Sequence, residues 1–151
     1  KTTPGLRTFE KWAVRIGGGH NHRFGLYDMI MIKDNHVDFC GGIENAINRV
    51  HQYLADNELN LRIEVETRNL DEVWQVLKTG RVDRIMLDNY SLEALREAVK
   101  VIDKQFETEA SGGVNLNTVK AIAETGVDFI SVGELTHSVK SLDLSFKAVV
   151  A

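Results

Sequence analysis

Lys33, Glu66, Asp88, Ser111 and Gly133 lie far apart in the chain, yet each stands at the C-terminal end of a short β-type run. An amine, two carboxylates, a hydroxyl and a glycine at equivalent places are better explained by one shared site than by scattered ion pairs. Glu66 and Asp88 suit Mg2+, which prefers oxygen ligands and keeps several waters, or the paired hydroxyls of a ribose. Ser111-Gly112-Gly113, ahead of a helix expected from about Asn115, reads as a phosphate seat. Glycines let the backbone close in, and free N–H groups at a helix start favour an anion. Gly133, in Ser131-Val132-Gly133, is placed to form the other half of that seat.

His22 and Arg23 follow Gly17-Gly18-Gly19, a triplet that reads as the opening of a flexible loop. The His-Arg pair reads as a clamp for carboxylates or phosphates. Lys1, Arg7, Lys33 and His137 add cations or donors around the same mouth. His20, His36 and His51 read as ordinary surface or core residues, and Cys40, with no evident base partner, as inert. Arg62 and Glu64 read as a structural ion pair within one strand face.

The elements that must position these groups alternate regularly. β-type runs over 28–35, 61–67, 84–89, 106–113 and 128–134 are separated by helical stretches over 43–57, 70–80, 91–104 and 115–126. Leu92, Leu95, Val99 and Ile102 recur at helical spacing and leave Glu93, Arg96, Glu97 and Lys100 for solvent. Gly80 and Gly126 sit where helices should stop, and Ser91 and Asn115 where the next should be capped. Strands alternating with helices of this length imply right-handed βαβ crossovers and a parallel sheet. Side chains alternate along a strand, so Lys33, Glu66, Asp88, Ser111 and Gly133 share a polar face, and the intervening apolar residues meet the helices. Periodicity leaves a doubly wound open sheet and a closed barrel equally open.

A formal net charge of -4 argues against a nucleic-acid binder. No apolar run approaches the roughly 18 residues of a membrane span, and a single cysteine fits a reducing cytoplasm. Walker, dinucleotide, serine-triad and zinc patterns do not occur. The residues together describe an enzyme for phosphorylated sugars, with Schiff-base chemistry at Lys33 as an alternative.

The strings K-T-T-P-G-L-R (1–7), G-G-G-H-N-H-R-F-G-L (17–26), M-I-K-D-N-H (31–36), E-V-E (64–66), M-L-D-N (86–89), S-G-G (111–113) and S-V-G-E-L-T-H-S (131–138) resemble quinolinate phosphoribosyltransferase in order and spacing. The resemblance implies an α/β fold, an incomplete barrel of the seven-stranded type, of which residues 1–151 supply about five βα units. It implies that the family's N-terminal α/β sandwich lies outside them. It implies a phosphoribosyl transfer from phosphoribosyl pyrophosphate to quinolinate with decarboxylation, aided by Mg2+, in a cytoplasmic homodimer or higher oligomer without nucleic-acid or membrane partners.

Carried over residue by residue, His22, Arg23 and Lys33 correspond to the quinolinate pocket, with Lys33 at the reacting centre. Glu66 and Asp88 correspond to the acids near the ribose hydroxyls and Mg2+. Lys1, Ser111, Gly112, Gly113, Gly133 and His137 correspond to residues that bind phosphoribosyl pyrophosphate. The family's Thr-Arg-Lys-Thr motif begins here at its lysine, and the arginine contributed by a second subunit's N-terminal domain is missing. The 151 residues alone are therefore expected to be inactive. A paralogue acting on another pyridine acid and a non-catalytic phosphate-binding barrel are the competing readings; the second has no need of Lys33, Glu66 and Asp88 together.

Overall fold

The computed structural model describes residues 1–149. Five strands, β1 (Ile30–Ile32), β2 (Ile63–Thr67), β3 (Arg84–Asp88), β4 (Glu107–Ser111) and β5 (Phe129–Ile130), form one parallel sheet in the order β1-β2-β3-β4-β5. The helices are α1 (Arg7–Ile16), α2 (Asp34–Cys40), α3 (Ile43–Asp56), α4 (Leu70–Thr79), α5 (Leu92–Ile102), α6 (Val119–Ala123) and α7 (Glu134–His137). A doubly wound sheet reverses its strand order at a switch point, whereas a barrel sets each strand beside the last. The unbroken order is that of a barrel arc.

The chain divides into two compact units, residues 21–132 and, separately, residues 1–20 with the segment from Gly133 onward. The first holds the whole sheet with α2 to α6. Its core lies between the sheet and the helices: Ile32, Ile63, Val65, Ile85, Leu87 and Ala110 meet Ile43, Ile47, Val73, Val76, Leu95 and Ile102. Each isoleucine or leucine so buried contributes about 1.5–3 kcal/mol. The strand parity read from the sequence holds, because these apolar positions alternate with Glu64, Glu66, Arg84 and Glu109 on the opposite face. Ser91 caps α5, accepting from the Ala94 N–H at 3.2 Å. Gly80 ends α4 at φ +66°.

In the second unit α1 packs on α7. Gly17-Gly18-Gly19 closes α1 rather than opening a loop. The Gly19 N–H donates to the Val14 carbonyl (2.9 Å) and the Gly18 N–H to that of Arg15 (3.0 Å), with Gly18 at φ +85°. That hydrogen-bond pattern is a Schellman cap, which needs the left-handed conformation glycine adopts without penalty.

Three expected boundaries shift. The run 28–35 is a strand only over Ile30–Ile32, and Asp34 starts the unforeseen helix α2. An acidic residue in the first turn suits the helix dipole, and His36 Nδ1 accepts from the Lys33 N–H at 2.9 Å. The helix expected from Asn115 starts at Val119. Asn115 instead builds a side-chain turn, accepting from the Asn117 N–H (2.9 Å) and donating its own N–H to Thr118 Oγ1 (3.0 Å), a local alternative that competes with helix. The last strand stops at Ile130, so Gly133 is the N-cap of α7 and not a strand residue. Among the described residues no helix is long and apolar enough to cross a membrane.

Candidate active site

Parallel register sets the polar face in rows. Met31, Glu64, Arg84 and Glu107 lie side by side across β1 to β4, and Glu66, Met86, Glu109 and Phe129 form the next row toward the C-terminal ends. Asp88 pairs with Ser111 beyond them. Lys33, one residue past β1, turns its ammonium back to Glu66, Nζ to Oε2 3.1 Å. Glu66 is 9% exposed, so its charge is matched by a cation at the sheet edge rather than by water.

Asp88 and the Ser111-Gly112-Gly113 loop are joined through Asn89, a residue that sequence reasoning passed over. Its N–H extends the ladder to the Ser111 carbonyl (2.8 Å), and its Nδ2 donates to Asp88 Oδ2 (2.7 Å). Asn89 reaches this position at φ +56°, a region that asparagine tolerates better than most residues. Gly112 and Gly113 have φ +95° and +60°. A Cβ on Gly112 would run into the Asn89 side chain and stand 3.0 Å from its backbone nitrogen. The glycine is thus required by the close approach of two strand ends. No α-helix N-terminus follows directly at Asn115, so the anion donors available in this loop are its own turn amides.

His22 enters from the loop before β1 and meets buried carboxylates. Its Nε2 is 2.5 Å from Glu64 Oε2 and 3.6 Å from Glu109 Oε1. Arg84 lies behind them, Nη1 2.5 Å from Glu109 Oε2 and Nη2 2.9 Å from Glu107 Oε2, its guanidinium 3.9 Å from the centre of the Phe129 ring. Burial alone pulls Arg84 down, but the hydrogen bonds it donates to Glu107 and Glu109 and the nearby charges of Glu109 and Glu64 hold it above the ordinary arginine range. Burial pushes Glu107 up, yet bonds from Arg62 and Arg84 leave it below the usual carboxylate range. Ser131 donates to Glu109.

The expected Arg62–Glu64 pair does not form. Arg62 reaches Glu107 (2.6 Å) and Asp83 (3.8 Å), while Glu64 is the partner of His22. Arg62 thus finds its partner on β4, and Glu64 finds its own on the loop before β1. The donor atoms of His22, Glu64 and Glu109 lie within 4.8 Å of one another, a spacing that also suits a metal. Here Arg84 already neutralises Glu109. Arg23 Nη1 donates to the Met29 carbonyl at 3.1 Å, which fixes the loop carrying the His-Arg pair.

Lys33, Glu66, Asp88, Ser111, Gly112, Gly113, His22 and Arg23 therefore belong to one unit. Lys1, Gly133 and His137 belong to the other. There Gly133 and His137 are neighbours, since a Cβ on Gly133 would stand 2.6 Å from His137 Nε2. His137 Nδ1 and Ser138 Oγ are 2.7 Å apart, and Lys1 is exposed.

The family model for the quinolinate phosphoribosyl transferase C-terminal domain matches residues 1–147. The chain belongs to this family. It is 53% identical over 161 residues to a carboxylating nicotinate-nucleotide pyrophosphorylase, chloroplastic, of Arabidopsis thaliana, covering 97% of this chain and 46% of the relative. A probable carboxylating nicotinate-nucleotide pyrophosphorylase of Bacillus subtilis (strain 168) is 48% identical over 151 residues, covering 100% of this chain and 51% of the relative. The crystal structure of NadC from Streptococcus pyogenes superposes with a TM-score of 0.88 at 44% identity, covering 97% of this chain and 50% of that one. The chain thus spans about half the length of the curated relatives it matches.

Proposed function

We propose that the intact protein transfers phosphoribosyl from phosphoribosyl pyrophosphate to quinolinate with decarboxylation, giving nicotinate mononucleotide, pyrophosphate and CO2 in de novo NAD biosynthesis. The observation that carries this reading is the Lys33–Glu66 pair at the ends of β1 and β2. It sets a cation suited to an acid substrate against a carboxylate suited to a ribose. The names of the relatives support the same reaction.

In this reading His22, Arg23 and Lys33 hold the quinolinate carboxylates, and charge-assisted bonds orient the ring nitrogen toward the sugar. The nitrogen forms a bond to C1 of the ribose as the C1–oxygen bond breaks, and pyrophosphate leaves with the electron pair. The cationic character that develops on the sugar is stabilised by Glu66 and Asp88. The 2-carboxylate then leaves as CO2, its bonding electrons remaining on a ring carbon beside the cationic nitrogen until that carbon takes a proton from water. Ser111, Gly112 and Gly113 bind the 5-phosphate.

Glu66 and Asp88 offer only oxygen donors, a set that fits Mg2+ held in part through water. When bound, the ion supplies charge neutralisation for pyrophosphate. The same reading makes the chain most of a catalytic barrel whose companion α/β sandwich lies outside these residues. It makes a homodimer or higher oligomer the working unit, and it sets the protein in the cytoplasm, although plant relatives are named chloroplastic or mitochondrial.

The test is CO2 release from carboxyl-labelled quinolinate by the intact protein with phosphoribosyl pyrophosphate and Mg2+. Release that depends on both substrates is expected. A folded, oligomeric protein that releases none, yet transfers phosphoribosyl to another pyridine acid, would overturn the assignment to quinolinate.

A further inference from the structure

Glu64 is fully buried, its Oε1 has no hydrogen-bond partner among the described residues, and its Oε2 is held by His22. A buried carboxylate with one oxygen unpaired is costly unless a nearby charge compensates it. The ladder shows where compensation comes from. Arg62 and Arg84 are taken up by Asp83, Glu107 and Glu109, so the partner left to Glu64 is His22. Because a carboxylate only accepts, His22 Nε2 must carry a proton toward Glu64, and Nδ1 is the ring nitrogen left to face an anion.

We infer that Glu64 is a positioning residue for the acid substrate. It holds His22 by Nε2 in its cationic form, so that Nδ1–H is presented as a charge-assisted donor to a pyridine carboxylate. This rests on the reading of quinolinate as the substrate. Glu109 on β4 supplies a weaker second contact, and Arg84 on β3 keeps Glu109 from taking over the role. Lys33 after β1, Glu66 on β2 and Arg23 on the same loop complete the charged surroundings of the imidazole, and Lys33 and Glu66 already answer each other. Carboxylate–histidine pairs elsewhere fix a ring's tautomer and orientation in the same way.

The experiment compares wild type, Glu64→Gln and Glu64→Asp in the intact protein. Glutamine keeps the shape and an acceptor oxygen while removing the charge. Its KM for quinolinate should rise about 10- to 100-fold, the scale of one charge-assisted hydrogen bond, with the KM for phosphoribosyl pyrophosphate unchanged. Glu64→Asp, which restores the charge, should recover most of that loss. NMR titration of the His22 ring in the protein without substrate reads the same coupling independently of turnover. A His22 titration identical in wild type and Glu64→Gln would overturn the inference. So would an unchanged quinolinate KM in a Glu64→Gln protein that is folded. If wild type does not use quinolinate at all, the functional reading fails instead, and the ring titration still decides the His22–Glu64 coupling.

Discussion

The two faces of the same five-stranded sheet solve opposite problems. The helix-facing side buries Ile32, Ile63, Val65, Ile85 and Leu87, side chains with nothing to pair, which stabilise by buried area alone. The other side buries Glu64, Glu66, Arg84 and Glu109 nearly as completely, and each of these needs a partner at a definite distance. Apolar packing tolerates substitution by volume, whereas a buried charge tolerates only its counterpart. The first face should therefore govern stability and the second chemistry, and single substitutions on each can break that division.

The largest effect is expected on the helix-facing side. Ile85→Ala removes a fully buried side chain from the middle of the central strand and should cost about 2–5 kcal/mol. Denaturant unfolding would measure the cost, and activity per folded molecule should stay near wild type. A comparable loss of turnover at unchanged stability would mean that the two faces are not separable. Lys33→Ala makes the opposite cut. The lysine side chain is 47% exposed and pairs with Glu66 at 3.1 Å, so little packing is lost and stability should fall by about 1–3 kcal/mol, the cost of leaving the Glu66 carboxylate unpaired. The value of kcat/KM in the intact protein should fall on the order of 10²–10³-fold, the scale seen when one preorganised electrostatic contact is removed from a site.

Gly112→Ala tests the rim where the polar face ends. The residue is at φ +95° and a methyl would press on Asn89, so the change should cost about 1–3 kcal/mol in stability. It should also raise the KM for phosphoribosyl pyrophosphate more than that for quinolinate, since Asn89 links this loop to Asp88. Equal changes in both constants would detach the loop from the phosphate end of the site.

How much of this was legible in the sequence follows the same division. Alternation is a local property, so the strand faces and the strand-end residues Lys33, Glu66, Asp88 and Ser111 could be read directly from the runs that hold them. Partner choice is not local. Glu64 meets His22 from 42 positions away, and Arg62 meets Glu107 from 45; the path of the loop before β1 makes the first contact and the packing of neighbouring strands the second. The expected Arg62–Glu64 pair failed for that reason. Boundaries failed where side chains compete with backbone, as at Asn115. The role of Asn89 left one signal in the sequence: an asparagine directly after Asp88 at a strand end, a place where a left-handed residue commonly follows.

The smallest effect tests whether the helix-facing side is as indifferent to charge as its composition suggests. Tyr90, just beyond β3, donates its hydroxyl to Thr67 Oγ1 at 3.3 Å, and Thr67 Oγ1 in turn donates to the Met86 carbonyl at 2.9 Å. Burial pushes the Tyr90 hydroxyl up to about 12; the bond to Thr67 opposes this and the charge of Glu72 adds to it. A tyrosine in the unfolded chain ionises near pH 10. With the folded value raised, the folded state holds its proton where the unfolded chain has lost it. The stabilisation is fully present below about pH 10 and is lost as the pH rises toward about 12. At neutral pH none of it has yet been lost, which is why this test ranks last. Absorbance titration should find one of the three tyrosines ionising well above the other two, and Tyr90→Phe should remove that late component. The phenylalanine variant should also lose less stability than wild type between those pH values. If all three tyrosines titrate together, water reaches Tyr90, and the separation between the two faces is less complete at this strand end than in the middle of the sheet.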